Sequence, residues 1–165
     1  MRKQVTAQSG SEETKAGEQG SWFDLEQLAQ VEVSSEATGC PVENALVLDG
    51  MAESARGWQA EKPGPASITL RFDVPQMIQK IFLHVAEPEH ERSQEWALSA
   101  TFSDGTQREL LRQGWNFSPS GSTEQRESYT FDLKQVSALT LTIDPDRGRD
   151  RYPATLLAWQ IGTGR

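Results

Sequence analysis

The segment Arg112-Gln113-Gly114-Trp115-Asn116-Phe117-Ser118-Pro119 sets an amide between two aromatic side chains. An aromatic face can stack on the apolar side of a sugar while Asn116 and Arg112 hydrogen-bond its hydroxyls. The same residues suit a second role, in which Trp115 and Phe117 plug an apolar core and Asn116 caps a turn. A second run, Glu87-Pro88-Glu89-His90-Glu91-Arg92, offers His90 and Arg92 as donors to hydroxyl, carboxylate or phosphate groups. Its other reading is a solvated loop of weak ion pairs. Arg147, Arg149 and Arg151 alternate with Gly148 and Asp150 and form a dense basic cluster. Such a cluster suits an anionic group such as a uronic acid or a phosphate, unless Asp144, Asp146 and Asp150 neutralise it. Tyr152 beside it reads as packing. The candidate ligand-binding set is therefore His90, Arg92, Arg112, Trp115, Asn116, Phe117, Arg147 and Arg149.

Catalysis finds no comparable support. The sequence has no Gly-x-Ser-x-Gly elbow, no glycine-rich phosphate loop and no His-Glu-x-x-His. Its two histidines, His84 and His90, lie six apart, with His84 on the face opposite Leu83 and Val85, so a zinc site is not expected. The single cysteine, Cys40, excludes an internal disulfide and reads as an unreactive thiol, so an oxidising compartment is not required. Sixteen Lys and Arg against 24 Asp and Glu give a net charge of −8, which disfavours nucleic acid as a partner. No apolar run approaches the ~20 residues that cross a bilayer. The Met1-Arg2-Lys3 start has no apolar stretch behind it, so a secretory signal is absent and a cytoplasmic protein is expected.

The elements that must hold these residues have period two. Ile68, Leu70, Phe72, then Ile81, Leu83, Val85, then Trp96, Leu98, Ala100, Phe102 alternate with polar residues, as half-buried strands do. The pattern recurs at Tyr129, Phe131, Leu133, at Leu139, Leu141, Ile143, and at Leu157, Trp159, Ile161. With Val31 to Ser35 and Thr106 to Gln113 this predicts about eight strands and no intervening helices, an all-β antiparallel sandwich or barrel. Residues 1–20, poor in large apolar side chains, predict a flexible tail ahead of a domain spanning 21–165. Short connections are expected at Asp73 to Met77, Ser103 to Gly105 and Lys134 to Ser137. Longer ones fall at Glu36 to Pro65, Glu87 to Ser93, Gly114 to Arg126 and Asp144 to Pro153. Strands running alternately up and down would put all four long loops at one end, as a binding face on a rigid scaffold.

From Val31 to Gly162 the sequence resembles the discoidin or coagulation-factor C-type domains of the galactose-binding-like superfamily. The carriers are Val33-Ser34-Ser35-Glu36, Glu43-Asn44-Ala45 to Leu48-Asp49-Gly50, Gly57-Trp58-Gln59-Ala60, Ile68 to Phe72, and Leu157 to Gly162. The resemblance implies an eight-stranded jelly-roll β-sandwich. It also implies a carbohydrate, or another hydroxylated or anionic small molecule, as ligand of a non-catalytic binding module. No cofactor is expected. Calcium-holding relatives use an Asp-Gly-Asp-like loop and a Glu in the last strand, where this chain has Asp49-Gly50-Met51 and Gln160, a poor set for a hard cation. Through Ser34-Ser35-Glu36, Glu43-Asn44-Ala45 and Trp58-Gln59-Ala60 the first half also resembles the N-terminal domain of single-strand-break repair scaffolds, which implies the same fold used to bind DNA or repair enzymes; the net charge of −8 disfavours DNA and leaves a protein partner as the alternative. A small-ligand module predicts a polar-rimmed concavity; a protein-interaction domain predicts a broad exposed apolar patch.

Overall fold

The computed structural model describes residues 21–47 and 57–164. The expected tail at 1–20 and the Leu48-Asp49-Gly50 stretch lie outside them. In chain order the elements are β1 (Ser21–Trp22), α1 (Leu25–Leu28), β2 (Ala29–Val33), α2 (Glu43–Leu46), β3 (Trp58–Pro63) and β4 (Ala66–Ala86). They are followed by β5 (Arg92–Phe102), β6 (Gln107–Phe117), β7 (Glu124–Asp144), β8 (Pro153–Leu156) and β9 (Ala158–Thr163).

The architecture is an all-β antiparallel jelly-roll sandwich built around one long ribbon. Strands β4 and β7 pair along almost their whole length, from Ala66↔Ile143 at one extreme to Ala86↔Glu124 at the other. Their register slips between Arg71 and Lys80, where Pro75 can donate no hydrogen bond and Gln135 opposite takes a left-handed φ of 60°. One half of the ribbon continues sideways into β2 on one edge and β5 and β6 on the other. The other half continues into β9 and β1. Folding the ribbon at its middle lays these halves against each other as two layers and returns both ends to the same place. Arg92 demonstrates that return, since it bonds Glu87, just past the end of β4, and Pro145, just past the end of β7.

The alternating apolar residues face the space between the layers. Ile68, Leu70, Ile81, Leu83, Trp96, Leu98, Leu139, Leu141, Trp159 and Ile161 are at most 1% exposed. Each such burial contributes about 1.5–3 kcal/mol. Among the described residues, no helix is long and apolar enough to cross a membrane.

Four sequence expectations need correction. Asp73 to Met77 and Lys134 to Ser137 are not turns between strands; they are the fold line inside continuous β4 and β7. The expected loop from Glu36 to Pro65 contains α2 and β3, and β3 pairs with β8. The expected loop from Gly114 to Arg126 shrinks to residues 118–123, because β6 stays paired with β5 as far as Phe117↔Arg92. Finally, β1 and β8 were not expected.

The residues that carried the family resemblance are latches. Trp58, fully buried, donates its indole N–H to the Ser35 carbonyl at 3.1 Å, and Ser35 Oγ accepts the Glu61 amide at 2.8 Å. Glu36 accepts the Val42 amide at 2.9 Å, and Asn44 donates to the Gly57 carbonyl at 3.1 Å. Gly57 sits at φ +66°, and a Cβ there would lie 2.3 Å from the Leu156 carbonyl oxygen. A Cβ on Gly162 would lie 2.1 Å from the Ser21 oxygen, so only glycine lets β1 close onto β9.

Candidate functional site

Arg92, the first residue of β5, is 3% exposed and organises the end of the sandwich where the ribbon's tips meet. Its Nε donates to Glu87 Oε1 at 2.7 Å, and its Nη1 donates to Gln94 Oε1 at 3.0 Å and the Pro145 carbonyl at 2.8 Å. Its guanidinium carbon lies 4.7 Å from the Phe117 ring centroid, a cation–π contact away from water. Nη2 has no hydrogen-bond partner. Gln94, also buried, passes the polar chain inward to Gln125 at 3.1 Å.

Glu87 relays this order outward. Burial pushes its carboxyl up, but the Arg92 hydrogen bond and the amides of Glu89 and His90 outweigh it and hold Glu87 below its ordinary value. Both amides donate to Oε2 at 3.1 Å, fixing the 87–91 loop as a tight turn. The His90 ring is thereby laid on Tyr152, centroids 4.2 Å apart and planes 18° from parallel.

The opposite loop is held from within. Asp146, buried, accepts Arg151 Nε at 2.7 Å and the Arg151 amide at 3.2 Å, and Arg151 holds its carboxyl well below the ordinary range. Arg151 Nη2 also reaches the Glu91 carbonyl at 3.3 Å, and the Arg147 amide donates to the Ser93 carbonyl at 2.8 Å. Both contacts tie this loop to the segment between β4 and the start of β5. Arg147 and Arg149 are exposed, and among the described residues neither guanidinium has a carboxylate within ion-pair distance.

Between the loops lies an open cleft of about 780 Å³ lined by Glu89 to Ser93, Asn116 to Ser118, and residues 146, 147, 149, 151 and 152. Asn116 accepts the Ser93 hydroxyl at 2.8 Å through Oδ1, so its amide N–H groups are left for a ligand. Six of the eight candidate residues meet here: His90, Arg92, Asn116, Phe117, Arg147 and Arg149. Two of those six are deep, since Phe117 is 1% exposed and Arg92 is spent on protein partners.

Arg112 is placed elsewhere, and Trp115 lies outside the cleft, bordering a shallower concavity with Gly114, Asn116 and Arg147. Along β6 alternate residues face opposite ways, so Arg112, Gly114 and Asn116 point out of the sandwich while Trp115 and Phe117 point in. Arg112 bridges Glu95 at 2.9 Å and Glu109 at 2.8 Å on the outer face. Trp115 is half-buried against the core, its indole N–H on Ser122 Oγ at 3.0 Å. Trp115 and Asn116 therefore face away from each other, and the expected aromatic–amide–aromatic loop is a strand.

Sequence reasoning passed over Glu87, Ser93 and Asp146 as contributors, and read Tyr152 as packing. Asp146 was named among the acids that neutralise the basic cluster, and for Arg151 it does so. Nothing local marks Glu87 among the acids of its loop; its role appears only when Arg92 is buried. Among the described residues no group of His, Cys, Asp and Glu gathers as a metal site.

No protein-family model matches the sequence, and no curated protein matches it. Solved structures do. The family 32 carbohydrate-binding module of C. perfringens NanJ, in complex with galactose, superposes with a TM-score of 0.63 at 12% identity, covering 87% of this chain and 99% of that one. CpGH89CBM32-4 from Clostridium perfringens, in complex with GlcNAc-α-1,4-galactose, gives 0.58 at 16% identity over 87% and 95%. A pectin-binding carbohydrate-binding module gives 0.53 at 18% identity over 84% and 93%. The chain thus has the antiparallel β-sandwich fold of these modules.

Proposed function

We propose that the chain is a non-catalytic carbohydrate-binding module whose site is the arginine-lined cleft. The observation that carries this is the convergence of His90, Asn116, Arg147, Arg149 and Tyr152 around one concavity at the end of a rigid sandwich. The Asn116 amide and the His90 ring supply directional hydrogen bonds to hydroxyls, and Arg147 and Arg149 select ligands bearing negative charge. Arg92 and Phe117 form the floor and set the loops. Arg112 and Trp115 take no part. The solved modules of the same fold, described with galactose, GlcNAc-galactose or pectin, support a saccharide as the ligand class.

Two observations weigh against the rival readings. Among the described residues the large apolar side chains left exposed are Trp22, Val74 and Met77, three side chains rather than the broad apolar face a protein-interaction domain predicts. Among the described residues His90 makes no side-chain hydrogen bond to a hydroxyl or thiol; it stacks on Tyr152 and lies 4.0 Å from the Glu89 carboxylate, an arrangement without the nucleophile–base pair that covalent catalysis needs. A glycan array probed with the whole chain tests the proposal. Saccharide binding that His90→Ala weakens at least tenfold is expected; an array without a hit overturns it.

A further inference from the structure

The His90–Tyr152 stack has space on both sides. Beyond it lies a second cleft of about 720 Å³ that shares Glu89, His90 and Tyr152 with the first as a common wall. Its chemistry differs. Among the described residues no lysine or arginine lines it; the wall is made of Pro88, Pro153 and Leu157, the polar side chains of Thr38, Gln59 and Thr155, and the acids Glu87 and Glu89. Apolar surface beside hydrogen-bonding groups matches a sugar ring with its C–H face and rim of hydroxyls, and the two acids favour a neutral ring over an anionic one. Among the described residues Thr155 Oγ1 has no hydrogen-bond partner and is shut off from solvent, a state that costs stability and that a turn of the side chain toward a ligand relieves.

We infer that the second cleft is a subsite, so that the ligand is an oligosaccharide of two or more units crossing the His90–Tyr152 ridge. This rests on the saccharide reading of the first cleft. One unit lies in the arginine-lined cleft and a neutral unit lies beside Thr155. The stack is the structural reason for two sites rather than one wide trough, because Glu87 fixes the His90 backbone and Tyr152 fixes its ring. Cys40 closes the far side as a buried thiol.

The test is calorimetric titration of the whole chain with galactose and galacturonate ladders of one to four units, alongside Thr155→Val. Valine keeps the shape and suits a strand, and no hydrogen bond of Thr155 Oγ1 is lost with it, so an unchanged melting temperature certifies the fold. Affinity is expected to rise at least tenfold from one unit to two. In Thr155→Val the disaccharide is expected to weaken several-fold while the monosaccharide is unchanged. Monosaccharide binding with no gain on lengthening, or a variant that binds both lengths like the parent, overturns the second subsite and leaves the module intact. Failure of every ladder member to bind overturns the saccharide reading itself, and the subsite with it.

Discussion

Arg92 and Glu87 meet at 2.7 Å with 1% and 12% of their side chains exposed, and the two loops that flank the cleft hang from that pair. Glu87 Oε2 holds the amides of Glu89 and His90, while Arg92 Nη1 holds the carbonyl before Asp146. Truncating one partner of a buried pair strands the other charge, which costs about 3–5 kcal/mol. Arg92→Ala should therefore lose roughly that much stability in urea unfolding at neutral pH. A loss under about 1 kcal/mol, the value of a surface pair, would contradict the placement.

Acid should loosen the same end. A carboxylate whose pKa is lower in the folded chain than in the unfolded one adds stability above its unfolded value and loses it as pH falls through the folded one. Glu87 and Asp146 are of this kind. Asp144 is opposite: burial pushes its carboxyl up, so it detracts from stability at neutral pH and returns some as it protonates. Asp104 and Glu109, held below their ordinary values by hydrogen bonds from Thr106 and Arg112, act in the same sense, so with four groups against one the melting temperature should fall as pH drops below the ordinary carboxylate range. It should fall less steeply in Glu87→Gln, which has no charge there to lose. A parallel pH profile for the variant would contradict the role of Glu87.

Trp115 separates packing from binding. Its side chain faces inward, away from Asn116, and is tied to Ser122. Trp115→Ala should cost up to about 3 kcal/mol, near the lower edge for a large aromatic because the site is only half-buried. Saccharide affinity, measured below the lowered melting temperature, should stay within twofold of the parent. A tenfold loss of affinity with stability intact would make Trp115 a stacking platform instead.

The strands were legible because one face of each is buried. Trp96, Leu98 and Ala100, or Leu139, Leu141 and Ile143, alternate with solvent-facing residues, and a single sequence displays that period. The end of β6 was not legible, since Gly114 and Asn116 are turn-formers and nothing nearby says that Arg92 and Ser93 pair with Phe117 and Asn116. Six of the candidate residues line one cleft because the connections after β4 and β7 and the end of β6 lie side by side. What the sequence hid was depth: Arg92 and Phe117 look like surface donors and platforms, yet the fold line in β4 and β7 closes the sandwich over them. The two-residue β1 has no periodicity to read; its mark is Gly162, whose missing side chain makes room for it.

That glycine offers a stability test. Gly162→Ala forces a Cβ into the Ser21 carbonyl, and Gly57→Ala adds a left-handed φ to a backbone clash. Each should cost roughly 1–3 kcal/mol. Gly105→Ala is the control, with a positive φ and open space around it, and should cost less. Equal costs at all three positions in thermal unfolding would show that contact with β1 and β8 matters little.

The charge of the cleft predicts selectivity. Among the described residues Arg147 and Arg149 have no carboxylate within ion-pair distance, whereas Arg151 is occupied by Asp146. The Arg147→Gln, Arg149→Gln double variant should weaken galacturonate at least fivefold and leave galactose unchanged. Raising salt should narrow the parent's preference for the acid, since exposed charges are screened within about 8–10 Å. An acid preference that survives both would place the recognition elsewhere.

The central claim is that this cleft binds a saccharide, and Asn116 tests it most directly because it lines the cleft and, among the described residues, its amide N–H groups have no hydrogen-bond acceptor. Calorimetric titration of the parent and Asn116→Ala with galactose and galacturonate, at matched melting temperatures, is the measurement. The account predicts saturable binding by the parent and a loss of at least tenfold, about 1.4 kcal/mol, in the variant. Binding that is indifferent to Asn116, or no binding by the parent, would contradict it.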